Sequence, residues 1–200
     1  MNEENRVQYP PKYLEVLKAT KAIDFKMGSD VQTGNLLQTL AAAKPKGRFL
    51  EIGTGTGLSA VWILNGMDSQ STLLSVDNNP DLISLAEKLL GFDPRLTLRV
   101  ADGLEFIKSL AGQRFDFIFA DSFPGKYNTL EETLRLVSPG GFYIVDDMLP
   151  QPSWPEGHQL SVDDLLVKLD ALKDFIVCKM NWSTGLVVCT RKTEERLEGK

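Results

Sequence analysis

FLEIGTGTGLS, residues 49–59, is the stretch on which the fold turns. An apolar run closes on Gly53, Gly55 and Gly57, and a second apolar run with helical spacing begins at once. Glycines adopt backbone conformations that side chains forbid, and they let a ligand approach the main chain closely. The stretch is therefore a tight strand–helix turn, or such a turn that also receives a ligand. A dinucleotide-binding turn would carry its third glycine at position 58, where this chain has Leu58. A nucleoside without a pyrophosphate fits better.

The pattern repeats outward from this turn. Strand-like runs stand at RFLEI (48–52), STLLSVD (71–77), LTLRVA (96–101), FDFIFAD (115–121) and GFYIVDD (141–147), with helical patterns at 58–66, 80–91, 103–111 and 126–137. Nearly continuous apolar strands alternating with helices predict a doubly wound α/β sheet, helices on both faces and right-handed crossovers. Upstream, KYLEVLKATKAI predicts a helix burying Tyr13, Leu14, Leu17 and Ile23, and NLLQTLAAAK a second burying Leu36, Leu37 and Leu40. Downstream, a helix near SVDDLLVKLDALKD leads to FIVCKM and LVVCTRK joined by NWSTG, an antiparallel hairpin. A seven-stranded, Rossmann-like sheet results, mostly parallel with an antiparallel C-terminal strand. One domain is expected, with an N-terminal helical cap at 1–46, a core at 47–191 and a polar tail at 192–200.

Bulk properties narrow the partners. Of 200 residues 42% are apolar and 24% charged, and the net charge is -5 with a pI near 5.0. That balance offers no broad basic face to nucleic acid or to an anionic membrane, so small partners are expected. Cys178 and Cys189 lie in apolar runs and read as two buried thiols rather than a disulfide framework. MNEENRVQYPPK lacks the apolar core of a signal peptide, and no run is long enough to cross a bilayer. A soluble cytoplasmic protein is the expectation.

Two further stations follow the glycine turn. Asp77 ends the second strand, 24 positions after Gly53, where a carboxylate can accept hydrogen bonds from two ribose hydroxyls. It could also cap the next helix, although Asn79 before Pro80 is better placed. After the third strand, Asp102 and the backbone near Ala101 could read an adenine, or Asp102 could cap the helix that follows. Three stations at the ends of three consecutive strands resemble a class I S-adenosylmethionine-dependent methyltransferase, over roughly residues 25–191. The resemblance implies a cofactor held by Met27, Glu51, Gly53, Thr54, Gly55, Ser59, Asp77, Asn78, Ala101, Asp102, Gly103 and Asp121.

MGSDVQTGNLL (27–37) is similar to the segment before the first strand in the caffeoyl-CoA and catechol O-methyltransferases, through Met27, Gly34, Asn35, Leu36 and Leu37. Glu51 and Ser59 match that family's glycine turn, and would hold the methionine part of the cofactor. In the family, a strand-four Asp and a strand-five Asp-Asn pair bind a divalent cation. Asp121, Asp146 and Asp147 stand at those places here, and oxygen ligands suit Mg²⁺ or Ca²⁺. The sequence departs from the pattern at three points: Pro124 replaces the usual basic Lys, Asp147 replaces Asn, and Thr184-Gly185 replaces Asp-Gly. Lys126 and His158 are then the candidate bases, and Trp154 a wall for a planar substrate or an anchor for its own loop. The expected activity is O-methyl transfer to a small molecule, a phenol or catechol, assisted by a divalent cation. A metal-independent methyltransferase using His158 or Lys126, and a non-catalytic cofactor-binding protein, are the other readings. A homodimer through Tyr9, Tyr13 and Leu17 is also open.

Overall fold

A computed structural model describes residues 7–151 and 154–193. Seven strands form one sheet in the order β3-β2-β1-β4-β5-β7-β6. They are β1 (Arg48–Ile52), β2 (Thr72–Asp77), β3 (Leu96–Val100), β4 (Phe115–Ala120), β5 (Val137–Val145), β6 (Phe175–Met180) and β7 (Leu186–Arg191). The first five pair in parallel, while β7 lies antiparallel between β5 and β6. The chain moves outward from β1 through β2 to β3, then returns to lay β4 on the other side of β1. That reversal opens a crevice at the carboxyl ends of β1 and β4.

Strand alternation divides the core into two layers. Phe49, Phe117, Phe119 and Ile144 face α1 (Tyr13–Ala22), α2 (Val31–Ala42) and α3 (Leu58–Gly66). Leu50, Ile52, Ile118 and Val145 face α5 (Gly103–Ser109), α7 (Leu130–Leu136) and α8 (His158–Asp170). The helix α4 (Pro80–Leu90) starts on Asn79, whose side chain accepts from the amides of Asp81 and Leu82. Asp30 and Asp102 cap α2 and α5 in the same way.

Several expectations are corrected. The helix expected over 126–137 is two pieces, a four-residue turn α6 (Phe123–Lys126) and α7, because Pro124 is extended and Gly125 left-handed. The face buried by α1 is Tyr13, Val16 and Thr20, leaving Leu14 64% and Ile23 51% exposed. Tyr13 packs on the fully buried Trp62 of α3 with ring centroids 5.3 Å apart, so this ring serves the chain's own core. β3 is an edge strand with exposed residues, unlike the covered strands beside it. Cys178 is exposed and only Cys189 is buried; their registers, opposite Val188 and Val177, put them one position out of line. Of the expected polar tail, residues 194–200 lie outside the described residues. No helix among the described residues is long and apolar enough to cross a membrane.

Gly34, singled out in the sequence, has a spatial reason. A Cβ there would lie 2.4 Å from the Trp62 ring, so α2 and α3 are in contact through it. Gly34→Ala is expected to lower stability by about 1–3 kcal/mol, the usual cost of overpacking a filled core. Urea unfolding followed by circular dichroism measures this; an unchanged midpoint would count against the packing described.

Candidate active site

The glycine turn forms the floor of a cleft of about 700 Å³ at the carboxyl ends of β1, β2 and β4. Gly53 has φ +103°, and a Cβ there would meet the Asp121 carbonyl oxygen at 2.6 Å. Asp77 braces the turn: one carboxylate oxygen accepts from the Gly55 amide at 2.8 Å, the other from the Asn79 amide at 3.0 Å. Met27, Gly53, Thr54, Gly55, Ser59, Asp77, Asn78 and Asp121 all line this cleft. Ala101, Asp102 and Gly103 line an adjoining pocket of about 200 Å³, with Pro124 as its opposite wall. Pro124 thus packs beside the expected adenine station, against Gly103, rather than facing the reaction. Asp102 does cap α5, through one oxygen that accepts from Leu104 and Glu105.

Glu51 sits beneath this surface, fully buried. The Ser75 hydroxyl donates to its Oε2 at 2.5 Å and receives the Thr54 hydroxyl proton at 2.6 Å. Burial pushes the carboxyl up to about 7, with Asp121 and Asp77 adding to the rise and the hydroxyls of Ser59 and Ser75 opposing it. Ser59 helps from nearby, yet Oε1 has no hydrogen bond of good geometry among the described residues. A buried acceptor under Ser59 suits a cationic amine. Next to it, the N-terminus of α3 at Leu58–Ser59 presents free amides suited to a carboxylate. Ribose-, adenine- and amino-acid-compatible features thus lie in one continuous crevice, and the donor set fits S-adenosylmethionine.

A second pocket of about 350 Å³ opens from the first and shares Met27–Ser29 and Asp121–Phe123 with it. His158, the first residue of α8, places Nε2 3.2 Å from the Tyr127 hydroxyl. Its ring meets Trp154 at 4.6 Å and Phe123 at 5.6 Å between centroids, so Trp154 is part of an aromatic wall. His158 Nδ1 is buried without a hydrogen-bond partner among the described residues. Burial, then Asp147 and Asp121, raise the Tyr127 hydroxyl to about 12, so it stays protonated.

The expected cation ligands behave differently. Asp121, Asp146 and Asp147 do line this pocket. However, no group of three or more His, Cys, Asp or Glu side chains among the described residues is placed to hold a metal ion. Lys126, 4% exposed as a residue, donates its ammonium instead to Asp121 Oδ1 at 3.3 Å and to the Asp146 carbonyl oxygen at 2.8 Å. Asp146 Oδ1 accepts from the Thr184 hydroxyl at 2.6 Å and from the Asp147 amide at 2.8 Å. Burial raises Asp146 to about 7, with Asp121 and Asp147 contributing and Thr184 and Lys126 opposing. A Mg²⁺ ion demands near-octahedral oxygens at about 2.0–2.1 Å. This set, with the Lys126 ammonium donating into it, does not fit one.

Sequence reasoning missed several pocket residues. Ser29 donates to Asp121 Oδ2 at 3.4 Å, and Phe25, Leu82 and Gln151 line the two cavities. In the sequence Thr184 reads only as a departure from a pattern, yet it holds Asp146. Its hydroxyl beside a turn glycine was a readable sign; nothing local marked Phe25 or Leu82.

Comparisons with known proteins agree with this geometry. Residues 50–148 match the model of a family described as a methyltransferase domain. A Mycobacterium avium protein, provisionally named an O-methyltransferase, is 30% identical over 131 residues, 62% of this chain and 59% of that protein. The chain therefore spans about three fifths of the length of such curated relatives. A catechol O-methyltransferase of Mycobacterium tuberculosis is 29% identical over 146 residues, 70% of this chain and 66% of that one. An O-methyltransferase of Bacillus cereus, solved with S-adenosylhomocysteine, superposes with a TM-score of 0.82 at 18% identity, covering 94% of each chain.

The buried Glu51 gives a pH signature. Its carboxyl holds a proton in the folded chain up to about pH 7, but in the unfolded chain only to about 4.5. The folded state then binds more protons between those values, so stability falls as pH rises through that window and levels off above it. Asp146 adds to the same slope. Glu51→Gln is expected to flatten the fall measured by urea unfolding of the cofactor-free protein from pH 5 to 8. A slope identical to the parent's would remove the assignment.

Proposed function

We propose that this chain is a class I S-adenosylmethionine-dependent methyltransferase that moves a methyl group from that cofactor to a hydroxyl oxygen of a small, flat acceptor such as a phenol or catechol. One observation carries the reading: the cofactor-shaped cleft and the aromatic pocket meet at Asp121–Phe123, the place where a donor and an acceptor would be brought together. The second pocket, about 350 Å³ and walled by Trp154, Tyr127 and Phe123, suits one aromatic ring and its substituents.

S-adenosylmethionine supplies a methyl on a positively charged sulfur, a leaving group that needs no further activation. The chain's residues therefore have to align, exclude water and take a proton. Asp77 and the Gly53–Gly57 turn orient the nucleoside, while Ser59 and Glu51 hold the amino-acid end. His158 takes the acceptor's hydroxyl proton as the oxygen bonds to carbon and the sulfur–carbon electron pair stays on sulfur. Lys126, the other candidate base, already donates to two acceptors, whereas His158 carries a ring nitrogen, Nδ1, with no hydrogen-bond partner among the described residues. Tyr127, protonated, fixes the imidazole. No divalent cation enters this scheme, because the donor set does not fit one.

Calorimetry with S-adenosylhomocysteine tests the cofactor half. Asp77→Ala is expected to weaken binding by about 1.5–3 kcal/mol per lost charge-assisted hydrogen bond; unchanged affinity in a folded variant would remove the ribose assignment. Transfer of labelled methyl across a phenol and catechol panel tests the other half, and no transfer to any member would leave only a binding protein. With an acceptor in hand, His158→Ala is expected to lower kcat by about 100- to 10,000-fold. An unchanged kcat would assign the base elsewhere.

A further inference from the structure

We propose that the Lys126 ammonium is a built-in substitute for a divalent cation, occupying the acidic rim of β4 and β5 and presenting an N–H to the acceptor oxygen. This deepens, and rests on, the methyl-transfer reading. The starting point is geometric: among three carboxylates that line one pocket, a lysine side chain 5% exposed lies on Asp121 and on the backbone of Asp146. An ammonium has three donors, and those two contacts use two of them. Lys126 itself lines the acceptor pocket, so the third is available to an oxygen bound there.

The placement is written into the backbone that precedes it. Pro124 is extended at ψ 139° and Gly125 is left-handed at φ +86°, which breaks the helical turn and carries the chain inward. A Cβ on Gly125 would strike Ile52 at 2.8 Å, and the Gly125 carbonyl accepts the buried Tyr143 hydroxyl at 2.6 Å. Residue 126 is thereby pinned over β4 and β5 rather than left on the surface. One oxygen of Asp146 is likewise engaged, since Thr184 and the Asp147 amide donate to its Oδ1. A divalent ion entering here would displace the ammonium or sit against its charge. With the ammonium in place, the oxyanion that forms as the acceptor loses its proton is met by a fixed donor.

Manganese titration, read by electron paramagnetic resonance, tests this without any acceptor. The parent protein is expected to leave added Mn²⁺ free, and Mg²⁺ is expected not to shift its melting temperature. Folded Lys126→Ala, which clears the slot, is expected to bind Mn²⁺. Stoichiometric Mn²⁺ binding by the parent, or none by the folded variant, would overturn the proposal. Should Lys126→Ala not fold, Lys126→Met removes the charge while keeping the buried stem, and is read in the same way. With an acceptor known, the parent is expected to keep full activity in EDTA and Lys126→Met to lose about 100- to 1,000-fold in kcat; loss of parental activity in EDTA, restored by Mg²⁺, would equally overturn it. A failure of the methyl-transfer reading would appear instead in the calorimetry and the acceptor panel, leaving the manganese result to stand alone.

Discussion

Where β1 and β4 lie side by side, the Gly53 backbone runs so close to the Asp121 carbonyl that no side chain fits between them. That contact is the constraint from which the rest follows. It requires glycine with a left-handed φ, which turns the chain sharply out of β1 and starts α3 at the crevice. It also makes the end of β4 a common wall, so the residues after it face a nucleoside on one side and an aromatic pocket on the other. Separate cavities elsewhere in the fold could not share a reacting atom. These two can, because one strand end belongs to both.

Around that wall the electrostatics are unusual for so small a volume. Asp121 raises the proton affinity of Glu51, Asp146 and Asp147, and Lys126 opposes the rise at the last two. Burial is the largest cause for Glu51, Asp146 and Asp147, so their charges are governed chiefly by exclusion of water. Whatever enters the crevice changes that balance. An amine near Glu51 favours its ionised form, and an oxyanion near Lys126 competes with Asp121 for the same donor.

Much of this architecture was legible locally. Strand period, the alternating glycines, and Asn79 before Pro80 each depend on neighbours in the chain, and their elements formed where the pattern set them. What escaped depended on distant packing. The buried face of α1 is disguised by Thr20, a polar residue that joins the core because its hydroxyl bonds to the Val16 carbonyl and to Thr56. The edge position of β3 follows from strand order, which residue pattern alone does not specify. The inward course of Lys126 depends on Tyr143, two elements away, gripping the Gly125 carbonyl. Nor could spacing show that Lys126 lies among the three acids at the ends of β4 and β5.

The hairpin of β6 and β7 carries a last consequence, for the order in which the molecule is made. Its connecting turn reaches back to the front of the chain: Trp182 donates to the Gln32 carbonyl at 3.2 Å, across 150 residues, and Ser183 to Asp30. Asp30 ends the segment that, through Met27–Ser29, walls both pockets. Nascent chains emerge N-terminus first, and contacts that close long loops bear the largest entropic cost. The ribosome will therefore have released most of the sheet before the segment over the crevice can be fastened. The wall common to both pockets is then tied in place only once β6 and β7 have docked.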